Sequence, residues 1–182
     1  MDLPAIRTER LELVVMPLPF MRALQAHDVD MASREIWADV PTEMPDDLVH
    51  FLAHRIPDFT ADPTIQPWLG RAIVWTHPDG RREVTGTIGF HGPPDAASRV
   101  EIGYRVVPGW RRRGIATEAM RALLRWAETD QGIHRFRASV APGNTASLAI
   151  ITGFGFRPVG TRMDEIDGLE LVFELDRDSE TP

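Results

Sequence analysis

Arg99-Val100-Glu101-Ile102-Gly103-Tyr104-Arg105-Val106-Val107-Pro108-Gly109-Trp110-Arg111-Arg112-Arg113-Gly114-Ile115-Ala116-Thr117-Glu118-Ala119-Met120 begins as one kind of element and ends as another. Val100, Ile102 and Tyr104 alternate with Glu101 and Arg105, the period of a strand, and Val106 and Val107 prolong it. Pro108 and Gly109 stop it. From Gly114 to about Asp130 the apolar spacing becomes helical. Ile115, Ala119, Leu123 and Trp126 share a face, with Ala116, Met120, Leu124 and Ala127 beside them. Glu118, Arg121, Arg125 and Glu128 fall on the other side.

The junction is chemically unusual. A helix N-terminus carries unpaired N–H groups and partial positive charge, so it favours anions. Here Arg111, Arg112 and Arg113 stand where acidic residues would be favoured. An anion in the turn would reconcile the two, held by backbone N–H groups, the helix dipole and guanidinium groups together. Gly114 and Ala116 are small enough to let a ligand approach the backbone. Phosphate is the natural candidate.

Around this junction the chain reads as mixed α/β. Arg10 to Met16 is a strand and residues 17–27 a helix. A short helix lies near Ile36, and Asp46 or Asp47 caps a helix over 47–56. Residues 59–67 read as loop. Trp68–Thr76 and Glu83–His91 form a hairpin about His77-Pro78-Asp79-Gly80. A strand follows the central helix from about His134, then a helix capped by Asn144. Two last strands are joined at Asp167-Gly168. The expectation is one domain over 1–182, with a helical lid over 17–66 and a frayed tail over 176–182. Its sheet has about seven mostly antiparallel strands, with helices on both faces.

Composition bounds the function. In 182 residues there is no cysteine, which excludes disulfides and thiolate chemistry. All basic residues are Arg, so Schiff-base and P-loop lysines are excluded. A formal net charge of −7 argues against a nucleic-acid module built on Trp110 and the Arg run. No apolar run suggests a membrane span, and the N-terminus does not read as a signal peptide, so a cytoplasmic location is expected. His50 and His54 lie one helical turn apart, but without further ligands they call for no metal.

These features are similar to the GNAT superfamily of acyl-CoA-dependent N-acyltransferases. The match is to its R/Q-x-x-G-x-G/A signature, at Arg111-Arg112-Arg113-Gly114-Ile115-Ala116. Thr117-Glu118-Ala119, Glu101-Ile102-Gly103-Tyr104 and the opening Thr8-Glu9-Arg10-Leu11 resemble the RimJ/RimL branch of ribosomal-protein N-terminal acetyltransferases. Asn144 and Ser147, ahead of Gly155-Phe156-Arg157-Pro158, match a later family motif.

The resemblance implies acetyl-CoA as donor and a parallel pair of strands splayed at the CoA cleft. The pyrophosphate would sit on Arg111, Arg112, Arg113, Gly114, Ile115, Ala116 and Thr117. Pantetheine would pair with the backbone of Val106 and Val107, and Asn144 and Ser147 would touch the cofactor. An amine would attack the thioester directly, with Glu101 as general base, directly or through water. Where relatives often carry a tyrosine proton donor, this chain has Ile151. A protein N-terminal amine or a small-molecule amine is the expected acceptor. Trp37, His50, His54 and Trp68, with Phe51 and Phe59, are expected along its path. A homodimer is common in the branch. A non-catalytic acyl-CoA-binding protein of the same fold is the alternative.

Overall fold

The computed structural model describes residues 3–165 and 168–177. Strands β1 (Ile6–Arg7) and β2 (Leu11–Val15) lead into helices α1 (Leu18–Gln25), α2 (Val29–Ile36), α3 (Met44–Asp47) and α4 (Val49–Ala61). Strands β3 (Arg71–Thr76), β4 (Arg82–Phe90) and β5 (Arg99–Val106) precede helix α5 (Ile115–Gln131). Strand β6 (Arg135–Val140), helix α6 (Thr145–Gly153) and strands β7 (Arg157–Asp164) and β8 (Gly168–Asp176) complete the described chain.

The eight strands run in the order β1-β2-β3-β4-β5-β6-β8-β7. β5 and β6 pair in parallel, while β1–β2, β2–β3, β3–β4, β6–β8 and β7–β8 pair antiparallel. The strand beyond the expected seven is β1, within the lead-in; it pairs Ile6 with Leu13 and Arg7 with Glu12. Among the described residues no helix is long and apolar enough to cross a membrane.

The chain forms two compact units. One comprises Met1–Gly89 with Tyr104–Leu123, the other Phe90–Gly103 with Leu124–Pro182. In the first, the helical segment supplies much of the core. Phe20, Met21, Leu24, Ile36, Met44, Leu48 and Leu52 are buried with Val74 and Val84 of the strands. The expected lid is thus an integral layer of this unit. Gly86 and Gly89 permit close backbone approach. A Cβ on Gly86 would lie 2.1 Å from the Arg105 carbonyl, and one on Gly89 would lie 2.5 Å from Gly70 Cα.

The helix boundaries correct two expectations. Asp46 does not cap α4: Leu48 precedes the helix without a side-chain cap, and Asp46 belongs to α3 and pairs with His27 at 3.1 Å, while the side chain of Asp47 lies outside what is described. Pro45 occupies an early helical position, where its fixed φ suits a helix start, so helix begins sooner than expected. Nor is 59–67 a loop. Helix α4 continues through Pro57 to Ala61, and a 3-10 turn spans Pro63–Trp68. An internal proline costs about 3 kcal/mol. The apolar stripe of Leu52, Ile56 and Phe59 offsets it by packing on the core. Asp62 then starts the 3-10 turn, accepting the Thr64 N–H at 2.9 Å.

In the second unit Phe136, Ala138 and Val140 of β6 point into a core with Val100, Ile102, Phe156, Phe173 and Leu175. Phe90 stacks on Phe136 at a centroid distance of 6.4 Å. The stop of α5 follows its sequence signal. Gly132 is left-handed (φ 67°), and Ile133 N–H reaches back to Ala127 C=O at 2.9 Å, which satisfies a carbonyl of the last turn. In the last hairpin Asp164 pairs with Gly168 (φ 74°). Asp167 and residues 178–182 of the expected tail lie outside the described residues.

Candidate active site

The turn between β5 and α5 is built by backbone conformation first. Arg112 (φ 60°) and Gly114 (φ 78°) are both left-handed, which curls the chain tightly before the helix. The first helical bond runs from Glu118 N–H to Gly114 C=O at 3.0 Å. The N–H groups of Ile115, Ala116 and Thr117 therefore lie ahead of the hydrogen-bonded ladder, as an anion site requires.

The turn is anchored from the start of the chain. Glu118 accepts the Thr8 hydroxyl at 2.6 Å, the Arg10 backbone N–H at 3.1 Å and Arg10 Nε at 2.7 Å. Arg10 Nη1 also donates to the Arg113 carbonyl at 3.3 Å. Burial alone would raise the Glu118 pKa, but the bonds from Thr8 and Arg10 outweigh it and hold the carboxyl below its ordinary value. Thr8 and Arg10 are read in the sequence only as marks of a branch. Their partner is 108 or more residues away, beyond any local pattern.

The three arginines differ in role. Arg111 Nε donates to the Val106 carbonyl at 3.0 Å. The Arg113 guanidinium lies 4.7 Å from the Trp110 ring centroid. Arg112 is exposed. Trp110 is half-buried, tilted against Trp75 at 5.4 Å, and donates Nε1–H to Glu83 at 2.9 Å. An indole used in this way is a structural brace for the turn rather than an open stacking platform.

Upstream, β5 pairs in parallel with β6 at Arg99↔Arg135, Val100↔Phe136 and Glu101↔Arg137. Val107 N–H donates to Thr85 on β4 at 2.9 Å, and Val107 C=O accepts from Trp110 N–H at 2.9 Å. By strand alternation Val106 turns its N–H to the opposite edge, while its carbonyl accepts from Arg111 Nε.

Glu101 is paired, not solitary. Arg162 Nη1 donates to its Oε2 at 3.0 Å, and Arg162 Nη2 lies 2.9 Å from its Oε1. Arg162 Nε donates to Glu170 at 2.7 Å, so one guanidinium spans two carboxylates. Burial alone would lower the Arg162 pKa; Glu170 and Glu101 outweigh it and raise it. His91 Nδ1 stands 3.7 Å from Glu101 Oε1. Neither His91 nor Arg162 figures in the sequence reading. The available signal was Gly103, a lone glycine within a strand, which marks close approach by another group.

Asn144 is the N-cap of α6: its Oδ1 accepts Ser147 N–H at 3.1 Å. Its amide N–H groups are not needed for that bond. Ile151 is fully buried, and Ser139 Oγ is buried without a hydrogen-bond partner among the described residues.

The expected acceptor residues lie at the end of α2, on α4 and at the end of the 3-10 turn. Trp37 is 82% exposed in a left-handed conformation after α2. His50 and His54 are exposed on α4, and Trp68 ends the 3-10 turn, half-buried. Phe51 and Phe59 are half-buried and pack against the core. Among the described residues no group of three or more His, Asp and Glu side chains is placed to hold a metal ion.

Comparison with known proteins gives the fold and turn a family. The profile of the "Acetyltransferase (GNAT) domain" matches residues 20–157. The "Uncharacterized N-acetyltransferase YoaA" of Bacillus subtilis (strain 168) is 34% identical over 79 residues, 43% of this chain and 45% of that protein. The [Ribosomal protein uS5]-alanine N-acetyltransferase of Escherichia coli (strain K12) is 33% identical over 69 residues, 37% of this chain and 36% of that protein. These matches thus span less than half the length of either relative. The solved structure of the Microcin C7 self immunity acetyltransferase MccE, with acetyl-CoA and AMP, superposes with a TM-score of 0.62 at 18% identity, covering 93% of both chains. With a profile match running from α1 to the start of β7, over most of its length, the chain belongs to the acetyltransferase (GNAT) domain family.

Proposed function

We propose that this protein transfers an acetyl group from acetyl-CoA to a primary amine, by direct attack of the amine on the thioester. The observation that carries the reading is the Arg111–Thr117 turn. Two left-handed residues and the Thr8/Arg10–Glu118 anchor hold its N–H groups ahead of the helical ladder. The donor's pyrophosphate takes that turn, with Arg112 and the outer nitrogens of Arg111 as cationic partners. Pantetheine pairs with Val106, and Asn144 and Ser147 contribute cofactor contacts.

A thioester is already activated, so most of the acceleration comes from positioning the amine and removing its proton. Charge on the tetrahedral oxygen is met by a β5 backbone N–H on the edge that Val106 presents. Glu101 is the anionic centre of the proton-transfer group, reached through an intermediary, because its oxygens face Arg162. The acceptor is a protein N-terminal amine or a small-molecule amine, with Trp37, His50, His54 and Trp68 on its path. A cytoplasmic location and a homodimer go with the reading as expectations from the branch it resembles.

The test is thiol release from acetyl-CoA with peptides beginning in Ser, Ala or Thr, beside aminoglycosides and polyamines. Release dependent on one amine class supports the reading. Tight acetyl-CoA binding with no turnover across the panel would favour the non-catalytic alternative.

A further inference from the structure

Glu101 has the right chemistry for a base but poor access. Its side chain is 16% exposed. Oε2 accepts from Arg162 Nη1 at 3.0 Å, and the buried Oε1 lies 2.9 Å from Arg162 Nη2. One guanidinium thus engages both carboxylate oxygens, and little of the side chain is open to a substrate amine. The imidazole of His91 is different: its side chain is 50% exposed, and its Nδ1 faces Oε1 at 3.7 Å. That spacing exceeds a hydrogen bond, and closes to one with a small ring rotation.

The ring lies where it does because β5 carries a glycine beneath it. A Cβ on Gly103 would come within 2.6 Å of His91 Nε2 and 3.3 Å of Cδ2. Strand β5 thus omits a side chain where the imidazole sits and supplies Glu101 two residues earlier. The backbone tie is short as well: His91 N–H donates to Glu101 C=O at 2.8 Å.

We propose that His91 takes the proton from the acceptor amine, with Glu101 orienting the imidazole and Arg162 fixing Glu101. This deepens the acetyl-transfer reading and rests on it. With Nδ1–H directed to Oε1, Nε2 is the basic nitrogen over Gly103. The substrate ammonium gives one proton to Nε2. The freed lone pair forms the C–N bond to the acetyl carbonyl carbon, and the C–S bond breaks with its electron pair on sulfur. The imidazolium proton passes to that thiolate and the second amine proton goes to solvent. Imidazole thereby also supplies the proton that a tyrosine gives in relatives, at a chain whose only tyrosine is Tyr104. Among the described residues, Glu101 on β5 faces the ring, with Arg162 on β7 and Glu170 on β8 behind it.

The test uses the full chain, acetyl-CoA and an amine turned over by wild type. His91→Gln should lower kcat by about 100-fold or more while acetyl-CoA affinity holds. The acidic limb of kcat/KM in the imidazole range should vanish, and free imidazole should restore activity to His91→Ala. Gly103→Ala should reproduce the kcat loss by displacing the ring. Near-wild-type kcat and pH profile in both His91 variants would overturn the proposal. So would a loss of rate that keeps the acidic limb and resists imidazole, since that marks a structural role. A wild type that turns over no amine fails the acetyl-transfer reading itself, and shows this before any variant is compared.

Discussion

Gly114→Glu tests the turn most sharply, read against Gly114→Ala. Gly114 sits at φ 78°, and an added Cβ would meet only Arg10 Nη2, at 3.3 Å, the far end of a flexible side chain. Steric damage to the fold is therefore small. A non-glycine residue in this conformation costs about 1–2 kcal/mol. For a chain of this size that lowers Tm by about 2–8 °C, in both variants. The difference between them is charge. A carboxylate at ~5 Å from a bound anion, with an effective dielectric near ~20, costs about 3 kcal/mol per unit of opposing charge. Acetyl-CoA affinity should thus fall by more than about 100-fold in Gly114→Glu, and by about 10-fold or less in Gly114→Ala. Calorimetric titration with acetyl-CoA measures this, with circular dichroism and Tm as checks of folding. A folded Gly114→Glu variant that binds as tightly as wild type would refute the anion site at this turn.

Other outcomes follow from the same geometry. Glu118→Gln should destabilise by about 1–2 kcal/mol at neutral pH through loss of charge-assisted bonds. Because the folded carboxyl is held below its ordinary value, its stabilisation is present above the ordinary carboxylate range and is lost as pH falls through the folded value. The gap between wild type and Glu118→Gln should therefore close in acid on paired denaturant melts; a gap independent of pH would contradict the assignment. Arg162→Lys keeps the charge but not the fork that spans Glu101 and Glu170, so kcat should fall about 10- to 100-fold with acetyl-CoA affinity unchanged. Gly86→Ala should cost about 3 kcal/mol or more, because its Cβ meets the backbone carbonyl of Arg105 rather than a movable side chain. A normal Tm for that variant would show the approach to be looser than described.

Most of the fold was legible because its signals are local. The alternation about Ile102, the period change at Gly114 and the turn His77-Pro78-Asp79-Gly80 each name their own geometry. At the last, Gly80 is at φ 86° and its N–H reaches His77 C=O at 2.9 Å. Helix α4 misled because Pro57 reads as a breaker, whereas tertiary packing of Ile56 and Phe59 carries the helix past it. The backbone of the Arg111–Thr117 turn was legible for the same local reason as the strands. What fixes it was not: Thr8 and Arg10 meet Glu118 only through the fold. The same holds for Glu101. Its residue type pointed to a base, but Arg162 on β7 and His91, just beyond β4, meet it only through the fold.

The central claim is acetyl transfer to an amine, and steady-state release of CoA thiol across an amine panel tests it most directly. Release that requires both acetyl-CoA and one class of amine, with the acetylated amine recovered in equal amount, is the expected result. Saturable acetyl-CoA binding with no amine-dependent release would contradict it.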